Sequence, residues 1–220
     1  MPFKPVESLS EQIASHLANN IIRGEITAGE RIQELRIAGE LEVSRGSVRE
    51  ALLILERRHL VDILPRRGAV VTQVSVGHVK GLYQVYAQLL GLLARGIAEN
   101  WSGSDLDPLI KKFELMRTAK DRGEQLERIF ELGFDIMELA YPIVDNPYLS
   151  ETLTNFKPMI QRTYFMALQS QSDDLTDNLA FFGSLMDAVV KRDADRSAEL
   201  ISDYVGQQLS GVLKTLEANA

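Results

Sequence analysis

The stretch from Leu9 to Val74 constrains the fold most, because three short helical patterns are followed there by two β-branched runs. Leu9 to Arg23 places Ile13, Leu17, Ile21 and Ile22 at helical spacing, and Thr27-Ala28-Gly29-Glu30 reads as a turn. Gln33 to Leu41 is a shorter supporting helix with Leu35, Ile37, Ala38 and Leu41 as its apolar residues. In the third pattern Val48, Ala51, Leu52 and Leu55 recur at i, i+3, i+4 and i+7, which buries one stripe against the preceding helices. Ser44 stands where its side-chain oxygen can accept an orphan N–H of the first turn. Leu60 to Leu64 and Ala69 to Thr72 then flank Pro65-Arg66-Arg67-Gly68, two β-branched runs around a Gly-containing turn that predict a hairpin.

Arg45, Ser47 and Arg49 fall off the apolar stripe and point outward. A helix that starts with small polar residues and sets two arginines one turn apart suits a DNA major groove, where such an end meets base edges and phosphates. Arginines at the hairpin tip would lie beside it, as the wing of a winged helix touches sugar-phosphate or the minor groove. Two blander readings stand beside this one: Arg45 and Arg49 pairing only with neighbouring acids, and a winged helix that binds another protein.

Charge is distributed unevenly. Residues 44–68 hold six arginines against Glu50, Glu56 and Asp62, yet residues 1–75 balance at ten basic and ten acidic groups. The whole net charge of −7 belongs to the remainder. A focal basic face on an acidic body discourages indiscriminate nucleic-acid binding. There are no cysteines, so disulfides and thiolate metal sites are excluded. No apolar run approaches the roughly 18 to 20 residues of a membrane span, and Met1-Pro2-Phe3-Lys4-Pro5 lacks an export signature. The expected compartment is the cytoplasm.

The runs Gly29-Glu30-Arg31-Ile32, Val43-Ser44-Arg45-Gly46-Ser47-Val48-Arg49-Glu50-Ala51-Leu52 and Arg67-Gly68-Ala69-Val70-Val71 resemble the winged-helix domain of GntR-family bacterial transcription regulators. The resemblance implies that Ser44, Arg45, Ser47 and Arg49 face the groove and that Arg66, Arg67 and Gly68 form the wing tip. One departure stands out. The place of a usual family arginine falls on Leu35, with Arg36 beside it. Either Arg36 substitutes, or one contact is lost and a different operator is read.

Beyond Gln73 to Gly77 the chain reads as helix almost throughout, so the whole is mainly α: a winged helix-turn-helix domain over 1–74 and a bundle of about six helices over 75–220. The expected helices run from Val76 to Asn100, with Leu82, Val85, Leu89, Leu92 and Leu93 inward, then from a Ser104 cap to about Asp121, and from Gln125 to Tyr141. They continue from Asn146-Pro147 to about Gln169, over Asn178 to Arg192, and over Ala194 to Glu217. Gly123, Pro142 to Pro147 and Ser170 to Asp177 read as breaks. In the last helix Ala198, Ile201, Val205, Leu209, Val212 and Leu216 form an amphipathic stripe.

This half resembles the FCD effector domain of the FadR subgroup, most recognisably at Asp145-Asn146-Pro147-Tyr148-Leu149. The resemblance implies a ligand cavity and a homodimer, and two-fold symmetry suits a palindromic operator on double-stranded DNA. Many such domains hold a divalent metal through one Asp and three His. Here those places fall on Glu131, Asp135, Phe182 and Tyr204, and Phe cannot coordinate. No metal or other cofactor is therefore expected, although a metal-dependent regulator of small carboxylic acids stays open as an alternative. Positions that are often Arg and Glu in metal-bearing relatives fall on Tyr86 and Leu90. An apolar wall favours an apolar effector, of which a fatty-acyl group is one candidate. Arg162 could receive its charged end, or pair with Glu131 or Asp135 instead. Taken without the resemblance, Tyr86, Leu90, Phe182 and Tyr204 are ordinary core residues.

An enzyme is not expected. The chain has no Gly-rich phosphate loop, no G-x-S-x-G elbow and no His pair at helical spacing. The expected function is a DNA-binding transcription regulator, most simply a repressor, whose operator affinity responds to a small organic effector.

Overall fold

The computed structural model describes residues 8–122, 126–168 and 175–218. The chain divides into two compact units: residues 1–75 with 155–165, and residues 76–154 with 166–220. The Gly123 break and the part of the Ser170–Asp177 loop before Leu175 lie outside the described residues.

In the first unit, helix α1 spans Leu9–Ile22, α2 Glu34–Glu40 and α3 Arg45–Arg57. Ser8 caps α1 by accepting from Glu11 N, and Ser44 caps α3 by accepting from Ser47 N at 3.0 Å. The predicted stripe of α3 is fully internal, with Val48, Ala51, Leu52 and Leu55 all buried against Ile13, Leu17 and Ile21 of the same core. Polar clasps flank that contact: Arg58 bonds Glu11 at 2.7 Å, and Ser10 Oγ donates to Glu50 Oε2 at 2.5 Å. In α2 only Ile37 is buried, while Leu35, expected on the apolar side, is 67% exposed. Seven residues complete barely two turns, so α2 can turn just one narrow face inward.

Strands β1 (Val61–Leu64) and β2 (Gly68–Val71) pair antiparallel, with Val61 opposite Val71 and Leu64 opposite Gly68. The tip is thus Pro65-Arg66-Arg67, with Arg66 at φ +64° and Gly68 at φ +76° as the first residue of β2. The segment after the Thr27–Glu30 turn lies along β2: Ile32 N donates to Ala69 O, Val71 N to Glu30 O, and Arg31 bridges Val70. This edge was not expected from the sequence, where those residues carry no alternating pattern.

The second unit comprises α4 (Val76–Asn100), α5 (Asp107–Asp121), α6 (Leu126–Val144), the ends of α7 (Pro147–Leu168), α8 (Leu175–Val190) and α9 (Ala194–Ala218). Its broadest packing is α4 on α9, and the position a Cβ would take on Gly91 lies 3.8 Å from the Ala198 methyl. Ile201, Val205 and Val212 are buried as their spacing predicts. The inward face of α4 is Val79, Tyr83, Tyr86, Leu90, Leu93 and Ile97; of the expected residues Leu93 is buried, Leu82 and Leu89 are half-buried, and Val85 and Leu92 are about half exposed. The helix is apolar around most of its circumference, so periodicity alone does not select the buried stripe. Ser104 does not cap α5 through its side chain. Instead Asp105 closes the preceding turn by accepting from Ser102 N, and the Ser104 carbonyl accepts from Asp107 N.

Pro142 lies inside α6, not in a loop. It falls in the last turn, where its fixed φ is helical and only one N–H is forfeited. Asp145, at φ +49°, ends the helix, and Asn146 starts α7 by accepting from Leu149 N at 3.1 Å with Pro147 in the first position. Arg192 closes the end of α4: it donates to the carbonyls of Glu99 and Trp101 and stacks 4.5 Å over the Trp101 ring. No helix among the described residues is long and apolar enough to cross a membrane.

Leu55 is fully enclosed on the buried stripe of α3. Leu55→Ala is expected to lower stability by about 2–5 kcal/mol, read from the urea midpoint of the first cooperative transition.

Candidate nucleic-acid interface and helical-unit site

One groove in the first unit gathers side chains from four places in the chain. It has a volume of about 440 Å³, and its lining includes Arg31, Glu34, Leu35, Arg45, Arg49 and Gly68. The α3 cap sets the N-terminal turn of that helix, and the buried stripe turns the opposite face, with Arg45 and Arg49, outward. The Arg31 edge on β2 brings its guanidinium to 3.8 Å from where a Gly68 Cβ would sit.

Glu34, the first residue of α2, holds the two helix arginines. Its Oε2 accepts from Arg49 Nε at 2.8 Å and lies 3.5 Å from Arg45 Nη2. The pairing with a neighbouring acid that the sequence left open is therefore present. Both arginine side chains nonetheless remain more than half exposed. Ion pairs so open to water contribute roughly 0–1 kcal/mol, so they orient the guanidinium groups without locking them. Ser47 Oγ lies 2.9 Å from Ser44 Oγ in the same first turn. Arg36 pairs with Glu40 on the surface of α2 at 3.7 Å and is not among the residues lining the groove. Arg66 and Arg67 are exposed at the tip between the strands. Arg31 and Glu34 are the members sequence reasoning missed. The signal for Arg31 was its place in the Gly29-Glu30-Arg31-Ile32 run, and Glu34 offered none beyond opening a helix.

The residues singled out in the helical half separate into two groups. Tyr86, Leu90, Glu131, Asp135, Phe182 and Tyr204 belong to the second unit. Tyr86 is buried, its hydroxyl 3.7 Å from Met137 Sδ, and that burial raises its phenol well above the ordinary tyrosine value, aided by Tyr141, Tyr83 and Tyr204 nearby. Tyr204 stacks on Phe181 at 3.9 Å and meets Phe182 edge-on at 6.2 Å. Phe182 presses on α6, its Cζ 3.1 Å from where a Gly133 Cβ would lie, so a side chain at residue 133 would require the ring to give way by a few tenths of an ångström. Leu90 is buried on the inward face of α4.

The acids flanking Gly133 are already neutralised. Asp135 pairs with Lys112 at 2.9 Å and Glu131 with Arg128 at 3.3 Å. With one acid held by an ammonium and aromatic rings at two of the four family positions, this donor set does not fit a divalent cation. Among the described residues no group of three His, Cys, Asp or Glu is arranged to hold one.

Arg162 requires a correction. It pairs with neither Glu131 nor Asp135, and it lies in the stretch of α7 that forms part of the first unit. There it is 4% exposed, and Nη1 donates to both the carbonyl and Oγ1 of Thr72 at 3.0 Å. Thr72 Oγ1 in turn donates to His59 O, and the His59 ring meets Phe156 of α7 edge-on at 5.4 Å. Burial lowers the Arg162 guanidinium to about 10, still charged at neutral pH. A long basic residue in a helix gives no sequence sign of a partner 90 positions away.

A winged helix presenting arginines around one groove, followed by a helical bundle, defines the class as a two-part DNA-binding regulator. Residues 9–71 match the family described as bacterial regulatory proteins, gntR family, and residues 81–207 match the FCD domain. The chain belongs to the GntR family, in its FCD-bearing branch, and is a DNA-binding transcription regulator rather than an enzyme. It is similar to the HTH-type transcriptional repressor RspR of Escherichia coli K12, at 26% identity over 98% of this chain and 94% of that protein. It is also similar to the gluconate operon transcriptional repressor of Bacillus subtilis 168, at 28% identity over 74% and 66% respectively. In fold it is similar to E. coli McbR/YncC, with a TM-score of 0.80 at 19% identity over 95% of this chain and 99% of that one.

The Arg162–Thr72 contact yields a stability prediction. Arg162→Met keeps the bulk and removes the charged donor, and should cost about 1.5–3 kcal/mol in chemical denaturation. A loss under about 0.5 kcal/mol would mean the contact contributes little.

Proposed function

We propose that this chain is a homodimeric repressor of the bacterial cytoplasm that binds a palindromic operator and releases it when a small organic effector occupies the helical unit. The observation that carries the DNA half is the single groove shared by Arg31, Glu34, Arg45, Arg49 and Gly68. In this reading Arg45 and Arg49 exchange Glu34 for base edges or phosphates, and the Ser44 and Ser47 hydroxyls with the first-turn N–H groups of α3 approach a phosphate. Arg66, Arg67 and Gly68 follow the adjacent backbone as the wing. Arg36, held by Glu40, contributes at most a peripheral contact. Repression is carried over from the names of the two relatives.

For the effector, Tyr86, Leu90, Phe182 and Tyr204 supply an aromatic and aliphatic wall, and the pairing of Glu131 and Asp135 with bases leaves little charge to recruit a small polar acid. Arg162 is withdrawn from this set. A low-polarity ligand, of which an acyl chain is one form, fits such a wall best. Helix α7 is continuous through residues of both units, which gives ligand binding a physical route to the DNA-binding end. By linkage, operator DNA must weaken effector binding by the factor through which effector weakens DNA binding.

Arg45→Ala and Arg49→Ala should each cost about 1–3 kcal/mol in operator affinity without altering the dimer, measured by fluorescence anisotropy and sedimentation. Wild-type affinity should also fall steeply with salt, since each neutralised phosphate contributes a slope of about −0.9; a flat response would favour a protein-binding winged helix. Native mass spectrometry of the purified protein should reveal a retained apolar metabolite, lost in Phe182→Ala while basal DNA binding persists. Unfolding of that variant would instead make Phe182 a packing residue.

A further inference from the structure

We propose that Leu35 reads the 5-methyl group of a thymine in the operator half-site, a contact that rests on the DNA reading above. Leu35 is the second residue of α2 and 67% exposed, so its side chain is not spent on the core. A lone exposed leucine needs no explanation on an ordinary surface. This one lines the same groove as Arg31, Gln33, Glu34, Arg45 and Arg49, all of them hydrogen-bonding or charged side chains.

Three features narrow what Leu35 meets there. A leucine has no donor for a phosphate oxygen, so the sugar-phosphate backbone offers it no hydrogen bond. Arg36 is turned to Glu40, 3.7 Å away, and does not take over a hydrogen-bonding role in the groove. Among base edges in the major groove, the thymine methyl is the apolar one. Arg45 and Arg49 line the same groove from α3, so a base they approach would bring its neighbour toward Leu35. Covering one methyl group should change affinity about three- to fivefold, enough to set base preference at one position per half-site.

The test uses duplexes recovered by the full-length wild-type protein from a random pool. Each thymine of one half-site is replaced singly by deoxyuridine, which removes the methyl and keeps the pairing, and Kd is measured by fluorescence anisotropy. One position should cost the wild type about three- to fivefold. That penalty should vanish in Leu35→Ala, a variant whose exposure predicts an unchanged melting temperature, and should persist in Arg45→Ala on top of generally weaker binding. The inference is overturned if no thymine is methyl-sensitive in the wild type, or if the sensitivity survives Leu35→Ala. Recovery of no site at all would instead overturn the DNA reading on which it stands.

Discussion

Burial of the α3 stripe is the constraint from which the functional face follows. Val48, Ala51, Leu52 and Leu55 leave the helix one rotational setting, because any other would expose them and bury arginine. The Ser44 cap fixes where that helix begins, and so which residues lie in its first turn. Glu34 then acts on side chains already brought to the surface, using an ion pair weak enough to be exchanged. The arrangement is preset in direction and open in partner, which suits groups that must meet a ligand many times larger than themselves.

Much of this was legible in the sequence, and the reasons are local. Helical spacing, the Ser44 cap and two β-branched runs around a Gly-bearing tip each depend on neighbours a few residues apart. Asn146-Pro147 gave the start of α7 for the same reason. What escaped depends on distant partners or on choosing between apolar faces. Leu35 and Ile37 look alike as letters, yet only Ile37 is buried in the two turns of α2. On α4, Val85 and Leu92 were expected inside, and the helix turns Tyr83, Tyr86 and Leu90 inward instead. Pro142 has the appearance of a helix breaker but sits where a helix is nearly finished.

Electrostatic partners were the least legible. Nothing in the sequence distinguishes Lys112 as the group that holds Asp135, or Thr72 as the acceptor for Arg162. Family resemblance pointed to Glu131, Asp135, Phe182 and Tyr204 as a cluster of interest, and its chemistry here has changed character: a place that elsewhere concentrates donors for a cation is built from paired charges and stacked rings. The same residues that lack coordinating atoms, Phe182 above all, add apolar area at that place.

The membership of residues 155–165 in the first unit bears on how modular this regulator is. A fusion that transplants only the first 75 residues onto a foreign sensor would leave behind the guanidinium that Thr72 accepts from and the ring that His59 meets. Severing the chain at the obvious linker therefore removes these two contacts from the head. The piece that can be exchanged intact is discontinuous, and recombination between relatives would have to respect two crossover points inside a single helix.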